Sequence, residues 1–411
     1  MSPVKKTTVK YSLNADGYFV IDDYNRAEAF SSFFPGVAGL WGIPMWVFYV
    51  NRGQCIASFG IESKDKAIME FQPANKSYRT VPLQGFRTFV KLKQGQKDIY
   101  WEPFQNHLSG TEYDKRQTMR ISAHDLVLEE ENKDLGLTAR VEYFTIPDEP
   151  FSGLIRKVSL INHGTRNYTG EIIDGMPTIV PYGLKDWLIK NLARTTEAWI
   201  KVRNVDEKAP FYQLNVEVAD TPQVTHITQG NFFFSFNASS KKRELLDPIV
   251  EASKIFGACL DFSAPEAFLN SGFKTPTAQA TNNKTPSAMA HCAMSLPKGG
   301  SQEIVTVVGY ARDVALLNKV AAAVRQSDFV GHKQSQNRQI IEDIKNFAQT
   351  VSSSATFNAY AGHTFLDNIL RGGLPISVKT KEGNVSFNVY SRKHGDLERD
   401  YNHFTVAPTY F

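Results

Sequence analysis

Phe30-Ser-Ser-Phe-Phe-Pro-Gly-Val-Ala-Gly-Leu-Trp-Gly-Ile-Pro-Met-Trp-Val-Phe-Tyr-Val-Asn-Arg-Gly-Gln-Cys-Ile-Ala-Ser-Phe-Gly-Ile61 is the segment around which the rest of the chain must be arranged. Met45 to Val50 is a β-branched and aromatic run without helical period, Asn51-Arg52-Gly53 supplies a turn, and Gln54 to Ile61 runs back, so the segment predicts a β-hairpin. Gly36, Gly39 and Gly42, with Pro35 and Pro44, rule out a long helix before it. A run this apolar needs cover on both faces, which makes it a central strand pair of a large sandwich. Trp41 stands apart. Glycine and proline surround it, and on a loop its indole could stack on a sugar; the plainer alternative is a core hairpin without chemistry.

Working outward, the chain from Tyr11 to about Gly309 reads mostly as strands, among them Phe86–Leu92, Leu137–Phe144, Leu154–Ile161, Ala198–Val202, Phe232–Phe236 and Glu303–Val308. Strands at hairpin spacing predict a two-sheet sandwich rather than alternating βα units. Lys274 to Ser287 reads as a long surface loop, and no fixed period indicates a solenoid. At Asp313 the pattern turns helical. Asp313 is a candidate N-cap, a second helix spans roughly Lys333 to Val351, and a third begins near Asn358 and ends at Gly372-Gly373. Lys379 to Tyr390 then reads as a hairpin with Glu382-Gly383 at its tip.

The 411 residues carry a net charge of +4, without a dense Lys/Arg stripe, which excludes a nucleic-acid surface. The basic cluster Lys241-Lys242-Arg243 reads as a solvated turn. Three cysteines, Cys55, Cys259 and Cys292, lie far apart, giving neither a disulfide framework nor zinc-ligand spacing. The first residues lack a signal-peptide core, and no apolar stretch approaches a membrane span. The expectation is a cytoplasmic protein with no membrane partner.

Phosphate-loop, nucleophile-elbow, zinc-protease and dinucleotide motifs are absent from the sequence. Among carboxylates suited to glycoside chemistry, Asp114, Asp125, Glu129 to Glu131, Asp134, Asp148 and Asp174 come under consideration. The triple glutamate reads as an exposed turn or strand end, and Asp174 as a structural turn residue. The richest cluster is Arg392, Lys393, His394, Asp396, Glu398, Arg399, Asp400, Tyr401, Asn402 and His403. Its forked cations, carboxylates and aromatics suit a hydroxyl-rich ligand or phosphate; the competing reading is a solvated connector whose charges pair with each other.

Four stretches carry a resemblance: Tyr24 to Trp46, Asp98-Ile-Tyr-Trp-Glu-Pro-Phe-Gln105, Phe365-Leu-Asp-Asn-Ile-Leu-Arg-Gly-Gly373, and Tyr390 to Phe404. Together they resemble the amino-terminal part of the inverting β-glucan phosphorylases of glycoside hydrolase families 94 and 161, closest to 1,2-β-oligoglucan phosphorylases and more distantly to cellobiose phosphorylases. The resemblance implies a mainly β chain: a galactose mutarotase-like β-supersandwich over 1–312, linker helices over 313–375, and over 376–411 the start of a truncated catalytic (α/α)6 barrel. It implies a homodimer, a β-linked glucan as ligand, and inorganic phosphate as co-substrate with no cofactor and no metal. The family's general acid lies deeper in the barrel, so no catalytic residue is carried over and the chain is expected to be inactive without the missing carboxy-terminal part. Trp41, Arg392, Asp396, Asp400, Tyr401 and His403 are the expected substrate-facing residues. Two other readings remain: a non-catalytic glucan-binding sandwich module, and part of a β-1,3- or β-1,4-glucan phosphorylase. A synthase acting on cyclic β-1,2-glucan is disfavoured because Tyr11-Ser-Leu-Asn-Ala-Asp-Gly-Tyr follows Met1 so closely.

Overall fold

The structure, a computed structural model, describes residues 9–38, 43–94, 97–105, 113–218, 222–348, 350–372, 375–381, 383–390 and 404–406. Among these the chain is mainly β, with antiparallel strands assembled into sheets of ten, five, four and three. The ten-stranded sheet is centred on Ser152–Asn162, which pairs with Leu137–Thr145 on one side and Ser301–Ala311 on the other. The five-stranded sheet is centred on Tyr168–Met176, flanked by Ala288–Leu296 and Arg87–Gln94. Their inner faces share one apolar core, with Tyr143, Val158 and Val308 from the larger sheet meeting Val90, Ile172 and Ala290 from the smaller.

The opening hairpin forms as expected, Ile43–Val50 against Ile56–Ile61. It sits in the middle of a separate four-stranded sheet instead of either large one. Strand alternation explains its unbroken apolar run. Met45, Val47 and Tyr49 enter the shared core. Trp46 and Phe48, on the other face, meet helices Phe329–Asn346 and Ala355–Gly372 through Ile341, Ile344 and Leu366. Each such side chain contributes about 1.5–3 kcal/mol on burial. The turn requires glycine at Gly53: its φ is +53°, and a Cβ there would lie 3.1 Å from the Pro82 Cα.

The helices follow where the sequence places them. Asp313 caps Val314–Val324 by accepting from the Leu316 amide at 2.7 Å. That helix and the start of the next cover the outer face of the ten-stranded sheet, where Leu317, Val320 and Val330 pack on Phe232, Phe234 and Val307. Polar staples add to this docking: buried Lys333 donates to the Pro147 carbonyl at 3.0 Å and pairs with Glu149 at 2.8 Å, and Gln334 reaches Glu142 at 2.6 Å. The helix Ala74–Gln84, which contains Pro82, and the short helix Asp186–Asn191 were not foreseen.

After Gly372 the described residues are strands: Pro375–Thr380 pairs with Gly383–Tyr390, the expected hairpin, and the latter pairs with Phe404–Val406. Glu382 lies outside the described residues. Among the described residues of 376–411 there is no helix of the expected barrel; the rest of that range is not described.

Candidate functional site

All six expected substrate-facing residues, Trp41, Arg392, Asp396, Asp400, Tyr401 and His403, lie outside the described residues. The carboxylates weighed for glycoside chemistry are engaged structurally. Glu129, Glu130 and Glu131 occupy the strand Leu126–Asn132, not a turn. Alternation therefore buries Glu130 while leaving Glu131 exposed. Glu130 accepts from Trp101 Nε1 at 2.9 Å, the Phe104 amide at 2.6 Å and Gln117 Nε2 at 2.7 Å. Burial raises its carboxyl above the usual range despite these donors and the nearby Lys115.

Asp174 is likewise a strand residue, within Tyr168–Met176. It is the partner of buried Arg156, whose guanidinium also donates to Thr88 at 2.9 Å. For Asp125, burial acts to raise the carboxyl, but hydrogen bonds from His124, Ser122 and Tyr18, with the His124 charge, hold it below the usual range. Asp114 pairs with Lys133, Asp134 accepts from the Asp114 amide, and Asp148 accepts from Gln336.

Three of the stretches that carry the sequence resemblance are joined in space. Asn25 Nδ2 donates to the Phe104 carbonyl at 3.1 Å and to Gln117 Oε1 at 2.9 Å, and Asn25 Oδ1 accepts from the Gly53 amide at 2.9 Å. Phe33 and Trp46, ring centroids 5.4 Å apart, share a cluster with Phe365 and Leu366. Glu102, in the second stretch, forms a buried two-point pair with Arg87, at 2.6 and 2.9 Å. The described parts of these motifs are thus packing and hydrogen-bonding elements.

A cleft of about 280 Å³ opens where the four-stranded sheet, the helix Ala74–Gln84 and residues 178–200 meet. Its polar lining is Glu70, Gln72, Thr80, Gln84, Thr178, Thr196 and Thr285. Gln72 Nε2 donates to Glu70 Oε2 at 3.4 Å, and Thr80 Oγ1 donates to Gln72 Oε1 at 3.0 Å. The walls are pinned by backbone: the Val180 amide donates to the Ile68 carbonyl at 3.0 Å and the Ile179 amide to the Pro286 carbonyl at 3.1 Å. Thr285 is fixed through its amide and hydroxyl on Glu197 Oε1, at 2.8 and 2.6 Å. Sequence reasoning missed this group because its members come from separate elements and share no local pattern. No metal-binding group of three or more His, Cys, Asp or Glu occurs among the described residues. No described helix is long and apolar enough to cross a membrane.

No protein-family model matches the chain, and no curated protein matches it. Solved structures similar to it include a galactose mutarotase-like protein from Clostridium acetobutylicum, at 8% identity and TM-score 0.34, covering 74% of this chain and 98% of that one. A bacterial glucoamylase complexed with acarbose is similar at 10% identity and TM-score 0.39, over 85% of this chain and 46% of that one. The polysaccharide lyase BACCELL_00875 is similar at 9% identity and TM-score 0.35, over 68% of this chain and 34% of its own. The chain thus spans about a third of the lyase and under half of the glucoamylase. These likenesses assign neither substrate nor activity to this chain.

Proposed function

We propose that this chain supplies the sandwich and linker helices of a β-glucan phosphorylase, of the 1,2-β-oligoglucan type. The observation that carries the reading is the joining of the resemblance stretches: Asn25 to Phe104, and Phe33 and Trp46 to Phe365 and Leu366. Segments more than three hundred positions apart in the sequence belong to one packing arrangement, which is what a shared scaffold requires. The order of parts also fits, with helices docked on the sandwich directly after the strand Ser301–Ala311.

In the complete reaction inorganic phosphate attacks the anomeric carbon, and one carboxylic acid protonates the departing glycosidic oxygen. Inversion yields α-glucose 1-phosphate, and no general base is needed. None of the described carboxylates of this chain is assigned to that step; its part is to hold the helices, through Lys333, Gln334 and the Trp46 cluster, in register with the sheets.

The test is phosphate release from α-glucose 1-phosphate with sophorose, laminaribiose or cellobiose as acceptor. The chain is assayed alone and together with a separately expressed catalytic barrel of a 1,2-β-oligoglucan phosphorylase. Turnover only in the combined sample, fastest with sophorose, is the expected result. Turnover by the chain alone overturns the assignment of the acid elsewhere, and silence in both samples overturns the phosphorylase reading.

A further inference from the structure

The cleft beside the helix Ala74–Gln84 has a composition that selects its ligand. Glu70 supplies the one charge among the described residues of its lining, and no described lysine or arginine joins it. A phosphate or sugar phosphate would therefore meet a carboxylate with no cation among the described lining residues to offset it, a repulsion that a partly dehydrated cleft strengthens. The remaining polar groups are a glutamine pair and hydroxyls, while Met69, Val81, Ile179 and Leu184 give apolar surface. Neutral hydrogen-bonding groups over an apolar floor match a ring with hydroxyls at its rim and C–H bonds on its face.

Volume limits the size. Pockets for drug-sized molecules run from about 300 to 1,000 Å³, and the cleft, at about 280 Å³, falls just below that range. A cleft of that size holds about one ring. The polar groups are also set in advance, since Thr80 orients the Gln72 amide, which in turn donates to Glu70. Pre-orientation reduces the ordering cost of binding.

We infer that this cleft is a binding site for a single neutral sugar ring, with the Glu70 carboxylate accepting hydrogen bonds from neighbouring hydroxyls. The inference stands apart from the phosphorylase reading, because it uses none of the resemblance motifs and needs no turnover.

The experiment is calorimetric titration of the full chain with D-glucose, D-galactose and D-mannose, alongside α-glucose 1-phosphate, inorganic phosphate and glucosamine. At least one neutral hexose should bind saturably at one site, with a dissociation constant on the order of 1 mM. The two phosphates should not. Glu70→Ala should weaken binding at least tenfold, and Leu184→Trp, which fills the cleft, should abolish it, both with an unchanged circular dichroism spectrum. Binding of no hexose overturns the inference, as does hexose binding that survives both substitutions. Tighter binding of glucosamine than of every neutral hexose also overturns it, by making the cleft a cation site.

Discussion

Arg156 and Asp174 meet across the gap between the two large sheets, Nη2 to Oδ1 at 2.7 Å, with side chains 0% and 1% exposed. Arg156 rises from the ten-stranded sheet and Asp174 from the five-stranded one. Gln54, at the hairpin turn of the third sheet, accepts from the same guanidinium. Burial alone would depress the guanidinium, but the Asp174 carboxylate overrides it and holds the group above its ordinary value. One ion pair thus registers three sheets against one another.

Asp174→Asn should therefore cost about 3–5 kcal/mol of stability, because it strands a buried cation. Lys133→Ala, which breaks the exposed pair with Asp114, should cost under about 1 kcal/mol. Urea unfolding midpoints of the two variants check the contrast. Equal shifts would mean that the buried pair does not hold the sheets.

A pH dependence follows from His291, on the outer face of the five-stranded sheet. Its Nδ1 bonds Thr275 at 2.7 Å and its ring meets Phe273, both from the covering segment, while Glu171, Lys91 and Asp247 are the charged groups around it. Burial holds it below 6.5, assisted by Lys91 and opposed by Glu171 and Asp247. The folded chain then binds fewer protons than the unfolded one. Its stabilising contribution is present above about pH 6.5 and is lost as pH falls below that value. Amide protection factors in residues 250–287, taken relative to the intrinsic exchange rate at each pH, should fall as pH drops from about 7.5 to about 5.5, and His291→Gln should remove that part of the dependence.

Trp46 is the anchor of the two long helices. Trp46→Ala should cost about 3–5 kcal/mol, and trypsin should then cut within Phe329–Asn346 and Ala355–Gly372 before it cuts the ten-stranded sheet. Cleavage in the same order and at the same rate as the parent chain would show that the helices hold without it.

Asp313→Ala removes the cap bond to Leu316 and should cost about 0.5–2 kcal/mol. Asp313→Asn should recover most of that loss. The comparison of thermal midpoints separates the cap from the charge.

The hairpin, the long strands and the helix start at Asp313 were legible because each is announced locally, by alternation, a turn or a cap. Glu130 and Asp174 were misplaced for one reason. The local pattern offers an exposed turn or strand end for the glutamates and a structural turn for Asp174, and only a partner from another strand, Trp101 or Arg156, holds each buried within a strand. The helix Ala74–Gln84 was hidden by Pro82, which disfavours a helix interior. The cleft was invisible because Glu70 and Thr196 belong to elements that meet only after folding.

The centre of the larger sheet has a consequence for synthesis. Ser159 and Glu303, which face each other across two neighbouring strands at its centre, are 144 positions apart. At the usual 5–20 residues per second, the earlier strand waits on the order of ten seconds or more for its neighbour to leave the ribosome. During that interval Ser152–Asn162, whose inner face carries Leu154, Val158 and Leu160, exposes a bare edge on which another nascent chain can dock. A pause or a chaperone acting before residue 301 emerges should therefore decide the yield of folded protein more strongly than any event afterwards.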